Sequence, residues 1–274
     1  MESSSHSYVK VFGERNTGTN WLCQLLKANT SMTVLGDGGK PNFKPRLKHI
    51  LASYRISDAL ALKLIKEKLL DAEREQHYPL YYGWKHAAID SSRISSTERF
   101  HDTLFLCIVR NPWRFVSGLH KRPYNLAPPP VSSLSDFVSA PLLLNYRDGI
   151  PDLYVSNPVE IWNKKVSSYY NFYEDHPINV RVIRYEDLVA NPEIIKDQLS
   201  GLTQFKFDSI KIPKDSTKSH RGDAKTYDDY KKEVIAYDPC ESLGRELAHK
   251  IFSLVDVRLM CQTGYDSLYN PIVD

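Results

Sequence analysis

Tyr8-Val9-Lys10-Val11-Phe12-Gly13-Glu14-Arg15-Asn16-Thr17-Gly18-Thr19-Asn20-Trp21-Leu22 is the stretch on which the reading of this chain turns. The β-branched and aromatic residues from Tyr8 to Phe12 predict a strand, and Gly13 ends it. From about Thr19 the apolar residues Trp21, Leu22, Leu25 and Leu26 recur at helical spacing, with Lys27 and Asn29 towards the helix end. Between strand and helix lies a small loop bounded by two glycines. Such a loop frees several backbone N–H groups at the positive end of a helix dipole, a geometry that binds phosphate or sulfate oxygens.

The spacing of Gly13 and Gly18 is that of the phosphate loop G-x-x-x-x-G-K-[ST], but Gly18 is followed by Thr19 and Asn20. In ATP and GTP enzymes the lysine neutralises the β and γ phosphates and the next hydroxyl holds Mg²⁺, so its absence argues against ordinary phosphoryl transfer. On spacing alone, the alternative is a plain tight turn between a buried strand and a helix.

Working outward, 274 residues suit one large α/β domain spanning 1–274, and no proline, glycine or serine tract is long enough to be a linker. Pro128-Pro129-Pro130 sits in a stretch that reads as a surface excursion. The short polar start, Met1 to Ser7, leads straight into the first strand, so neither a signal peptide nor a membrane-spanning run is expected, and the expectation is a cytoplasmic, soluble protein. Cys23, Cys107, Cys240 and Cys261 lack C-x-x-C spacing, which suggests neither a disulfide framework nor a zinc site. With 36 basic and 33 acidic residues the charge is too balanced for a nucleic-acid coat.

Leu35 to Lys48 reads as loop, and a helix capped by Ser57 carries Leu60, Leu64, Ile65 and Leu69 to about Glu75. Leu80 to His86 is an aromatic strand candidate. Leu104 to Val109 is a continuous apolar run, the pattern of a parallel strand covered on both faces. Asn111-Pro112 and Asn157-Pro158 are helix starts, the second opening a stripe of Val159, Trp162, Val166, Tyr169, Tyr170 and Tyr173. Val180 to Arg184 is the fourth strand, followed by Tyr185-Glu186-Asp187-Leu188 and by a helix opened at Asn191-Pro192. Pro213 to Tyr230 reads as a long charged loop, and Leu243, Leu247, Ile251 and Leu254 mark the last helix. Strands alternating with helices predict a doubly wound α/β fold with a mostly parallel sheet, whose ligands bind beyond the carboxyl ends of the strands. Those ends hold Gly13 to Thr19, Lys85 with His86, Arg110 with Ser117, and Tyr185.

These motifs resemble those of sulfotransferases that use 3′-phosphoadenosine-5′-phosphosulfate (PAPS). Arg15-Asn16-Thr17-Gly18-Thr19-Asn20-Trp21-Leu22 is similar to the family's 5′-phosphosulfate loop, commonly K-S-G-T-T-W-L. Val109-Arg110-Asn111-Pro112-Trp113-Arg114-Phe115-Val116-Ser117 looks like the 3′-phosphate motif R-N-P-x-D-x-x-x-S, with Ser117 one position short of the motif's serine. The resemblance puts the 3′-phosphate ligands at Arg110 and Ser117. It puts Tyr185, in a motif similar to Y-E-D-L, near the adenine, and Arg221-Gly222 in the basic loop that closes over the 3′-phosphate. It implies a three-layer fold like that of the P-loop NTPases, PAPS as donor co-substrate and no metal. Two departures stand out: Asn16 occupies the place of the family's loop lysine, leaving Arg15 as the nearest cation, and Arg114 stands where the family often has Asp.

Sulfuryl transfer is an in-line displacement, so donor and acceptor must be held, the acceptor proton removed and charge on the leaving phosphate steadied. Loop amides, Thr17, Thr19 and a cation suit the last need; Arg15 is the candidate cation, or else an ion-pair partner of Glu14, with Lys85 next in line. His86 follows Lys85 as the family's histidine base follows a lysine, and its alternative is a strand-end histidine bonded to backbone. Glu14 is the reserve base. The acceptor, a hydroxyl or amine of a small molecule, a sugar or a peptide tyrosine, would sit among the loops Leu35–Lys48 and Tyr124–Asp152. No nucleic-acid or membrane partner is expected. The competing readings are a P-loop nucleotide kinase and a catalytically inactive nucleotide-binding protein; against the first, the third strand ends in Arg110 rather than an acidic Mg²⁺ anchor.

Overall fold

The computed structural model describes residues 6–36, 59–77, 80–123, 131–213 and 226–268. Its strands are β1 (Tyr8–Gly13), β2 (Thr33–Leu35), β3 (Thr103–Val109), β4 (Leu142–Leu143), β5 (Tyr154–Val155) and β6 (Val180–Arg184). Four of them make one wholly parallel sheet in the order β2-β1-β3-β6, while β4 and β5 form a separate antiparallel pair. The helices between them are α1 (Thr19–Asn29), α2 (Ala59–His77), α3 (Ser91–Ser95), α4 (Pro112–Lys121), α5 (Leu134–Val138) and α6 (Pro158–Asp175). After β6 come α7 (Tyr185–Ala190), α8 (Ile194–Gln198), α9 (Tyr227–Ile235), α10 (Pro239–Leu243), α11 (Arg245–Leu254) and α12 (Val257–Thr263).

The apolar run of β3 is buried along its whole length because its alternate residues serve two cores. Phe105, Cys107 and Val109, with Phe12 of β1, pack against α4, α6, α11 and α12. Leu104, Leu106 and Ile108, with Val9 and Val11, pack against α1, α7 and α8 on the opposite face. The fold is therefore α/β in three layers, a mostly parallel sheet between two helical layers. Strand order reverses on either side of β1, so the crevice beyond the carboxyl ends of β1 and β3 is the topological switch point. None of the described helices is long and apolar enough to cross a membrane.

Two of the three asparagine–proline helix starts form as caps, whereas beyond Asn191-Pro192 the helix α8 begins only at Ile194, with Glu193 as an N-cap that makes no side-chain cap. Asn111 accepts the Arg114 amide at 2.8 Å and Asn157 that of Glu160 at 3.1 Å, each with proline in the first turn. On α6 the apolar stripe buries Val159, Trp162, Val166 and Tyr169, while Tyr173 reaches solvent.

Four expectations change. Leu80–His86 forms no strand, because Gly83 takes a left-handed φ of 91° in the middle of the run. Its aromatics are buried all the same, with Tyr82 Oη 3.0 Å from Thr103 Oγ1, so the segment lies beside the sheet by side-chain anchoring. The sheet edge is taken by β2, three residues whose last, Leu35, the sequence reading put in loop. The final helical stretch breaks at Gly244, φ 82°, into α10 and α11, and α12 follows it. The charged loop ends sooner than expected: Thr226 caps α9 with a reciprocal Thr226–Asp229 capping box. Ser57, residues 37–48 of the predicted loop Leu35–Lys48, residues 124–130 of the loop Tyr124–Asp152, and Lys218 to Asp223, including the proposed Arg221 and Gly222, lie outside the described residues.

Candidate functional site

Beyond Gly13 the chain turns sharply. Thr17 donates both its amide, at 3.2 Å, and its hydroxyl, at 2.5 Å, to the Glu14 carbonyl, and Asn16 and Gly18 both adopt left-handed backbone, φ 65° and 87°. Asparagine tolerates that conformation better than most residues. Gly18 requires it, since a Cβ there would also lie 2.6 Å from the Tyr185 ring. Gly18 is the N-cap of α1 and brings no side-chain cap, and the first turn carries no acidic residue. The first-turn amides therefore have neither intrahelical acceptors nor a carboxylate to satisfy them, the condition in which a helix start takes an anion.

Three motif fragments meet around this loop. Arg110, where β3 ends, donates from Nη1 to the Asn16 carbonyl at 2.7 Å and lies over the Tyr185 ring at 4.7 Å. Tyr185 in turn covers Gly18. Helix α4 closes the side of the loop at Gly118, where a Cβ would come 3.4 Å from Asn16 Cβ, and the adjacent Ser117 donates its hydroxyl to the Trp113 carbonyl at 2.8 Å. Glu186 fastens the ends of β3 and β6 together, accepting from the Asn111 amide and side chain and from the Tyr265 hydroxyl. Within α1, Trp21 stacks on Tyr227 of α9 at 6.1 Å and an interplanar angle of 13°. Thr19 is buried and Asn20 exposed.

Arg15 is not at the mouth of this loop. Its guanidinium forks onto Asp148, at 2.8 and 3.2 Å, and reaches Glu14 at 2.9 Å, leaving the side chain 2% exposed. Lys165 of α6 closes the arrangement from the other side, ion-paired to Glu14 and to Asp148 and donating to the His86 carbonyl at 2.6 Å. Two cations and two carboxylates thus neutralise one another beneath the loop. Burial pushes the Glu14 carboxyl up, but Lys165 and Arg15 outweigh it and hold it below its ordinary range; the same opposition lowers Asp148. Arg15 resists burial because Glu14 and Asp148 raise it. Arg15 as loop cation and Glu14 as base are therefore corrected: both are enclosed ion-pair members. The other two members, Asp148 and Lys165, are not visible in the sequence, since nothing local relates Arg15 to residues 133 and 150 positions away.

Besides Arg110, Lys85 approaches the loop, its Nζ donating to Asn20 Oδ1 at 2.7 Å in an exposed contact. His86 stands beside it although the strand expected there does not form. Its Nδ1 is 2.6 Å from the Gly13 carbonyl, and the Gly13 amide donates to the Lys85 carbonyl at 2.9 Å. A carbonyl only accepts, so Nδ1 carries the proton and the lone pair stays on Nε2. Burial lowers the imidazole to about 4, against a smaller upward pull from Glu14. The ring is neutral at pH 7 and oriented by backbone, as a proton acceptor must be.

No protein-family model and no curated protein matches the chain. Among solved structures the chain is similar to a sulfotransferase domain from the curacin biosynthetic pathway, with a TM-score of 0.40 and 11% identity over 94% of this chain and 98% of that one.

Proposed function

We propose that this chain is a sulfotransferase that takes PAPS and moves its sulfuryl group to a hydroxyl or amine of an acceptor. The observation that carries the reading is the contact of Arg110 with the Asn16 carbonyl and the Tyr185 ring. It unites three fragments that are far apart in sequence, each of which separately resembles a donor-binding motif of PAPS enzymes. A bound donor supplies a sulfur–oxygen bond to its 5′-phosphate, which breaks as the acceptor oxygen or nitrogen bonds to sulfur. The uncapped start of α1 receives the 5′ end of the nucleotide, and Arg110 with Ser117 receives the 3′-phosphate. Lys85 faces the leaving oxygen in place of the family's loop lysine, and His86 Nε2 takes the acceptor proton. Arg15, Glu14, Asp148 and Lys165 hold the loop from beneath and touch neither substrate.

Thermal shift tests the reading without knowledge of the acceptor. Adenosine 3′,5′-bisphosphate should raise the melting temperature without Mg²⁺, by an amount that grows with the logarithm of its concentration above Kd. Stabilisation by Mg·ATP alone would turn the assignment to a kinase. Stabilisation by the bisphosphate with no transfer from labelled donor across a panel of phenols, sugars and tyrosine peptides would leave a binding protein without turnover.

A further inference from the structure

Arg114 occupies the position at which the sequence departs from the sulfotransferase pattern, and its surroundings give that departure a use. It lies one helical turn beyond Arg110, in the first turn of α4, with its guanidinium 4.3 Å from the centre of the Tyr237 ring and Nη2 donating to the Glu233 carbonyl. Among the described residues neither Arg110 nor Arg114 is ion-paired to a carboxylate. The charges of Glu233 and Glu186 bear on Arg114, and those of Glu186 and Asp238 on Tyr237; both Glu186 oxygens are committed to Asn111 and Tyr265. Burial and the charge of Arg110 both disfavour the cation at Arg114. Two polar atoms at this place, Arg110 Nε and Tyr237 Oη, are closed to water and have no hydrogen-bond partner. Buried donors are rarely left unmatched in a folded protein. Like charges held side by side, with two donors left unmatched, suit an anion of more than one charge.

We propose that Arg114 and Tyr237 form, together with Arg110, a subsite for a phosphate monoester dianion. It rests on the donor reading above and extends it: the 3′-phosphate is gripped from two sides, by Arg110 and Ser117 and by Arg114 and the Tyr237 hydroxyl. A dianion offers three acceptor oxygens to the forked guanidinium groups and to Tyr237 Oη and offsets the repulsion between the two arginines. A carboxylate or a sulfate monoester, with one charge, offsets less of it.

Tyr237→Phe is the discriminating variant, because it keeps the ring against Arg114 and deletes only the hydroxyl. Titration calorimetry with adenosine 3′,5′-bisphosphate should show about tenfold weaker binding, the scale of one hydrogen bond to a charged group, while adenosine 5′-monophosphate binds within twofold of the parent. Arg114→Met, checked by its melting curve, should weaken the bisphosphate at least as much. Parental affinity of Tyr237→Phe for the bisphosphate overturns the subsite and leaves the donor reading standing. If the parent itself binds the bisphosphate no better than the monophosphate, the donor reading fails, and the subsite is judged with inorganic phosphate at pH 8. Weaker phosphate binding in Tyr237→Phe then supports it, and unchanged binding overturns it.

Discussion

Replacing Arg15 by methionine separates an enclosed ion-pair member from a catalytic cation. The change removes the fork onto Asp148, at 2.8 and 3.2 Å, and the 2.9 Å contact to Glu14, leaving two buried carboxylates facing Lys165 alone. Breaking one side of a buried ion pair costs about 3–5 kcal/mol, because the orphaned charge stays desolvated. Methionine recovers a little of this by packing against Trp84, whose ring the guanidinium now covers at 4.7 Å. At roughly 2 °C per kcal/mol for a chain of this size, the melting temperature should fall by about 6–10 °C in scanning calorimetry at pH 7.5. Nucleotide affinity, measured well below the transition, should change little. A variant that melts within about 2 °C of the parent yet loses turnover would refute the reasoning and return Arg15 to the catalytic role.

The complementary change, Lys85→Met, removes an exposed contact, so the melting temperature should hold while kcat for transfer falls by about 10²–10³, the range for loss of one charge-stabilising donor; equal turnover would place the cation elsewhere. Gly18→Ala should cost at least about 1–2 kcal/mol for its left-handed backbone alone and should lose nucleotide binding through the clash with Tyr185, and a neutral outcome in thermal shift would contradict the loop geometry. Stability should also decline as the medium acidifies. His86 titrates near 6.5 when unfolded but near 4 when folded, so the unfolded chain alone binds the proton across that window, which is worth about 3 kcal/mol at pH 4. His6, lowered chiefly by burial, acts in the same direction, and Glu14 and Asp148 add a further loss as the pH falls below the ordinary carboxylate range. A urea midpoint that rises between pH 7 and pH 5 would refute this.

The layered fold was legible wherever one residue type had one physical meaning. The unbroken apolar run of β3 could only be a strand covered on both faces, and the Asn-Pro pairs at 111 and 157 could only begin helices. Leu80–His86 misled because its aromatic content reports burial as readily as strand pairing, and the left-handed Gly83 decides between them. The short β2 was hidden for the opposite reason, since three residues give no periodicity. At the site, loop and strand ends could be located because the topology of a parallel sheet collects them at one edge. The direction in which Arg15 points could not, because Asp148 and Lys165 select it from two distant elements. The Arg114–Tyr237 contact likewise depends on the path by which α9 returns to α4.

The most direct test of the donor site is a crystal structure of the protein with adenosine 3′,5′-bisphosphate. The account predicts the 5′-phosphate on the amides at the start of α1, beside Lys85, and the 3′-phosphate within hydrogen-bonding distance of Arg110 and Ser117. A nucleotide bound away from the carboxyl edge of β1 and β3, or seated with its 3′-phosphate in the Gly13–Gly18 loop, would contradict it.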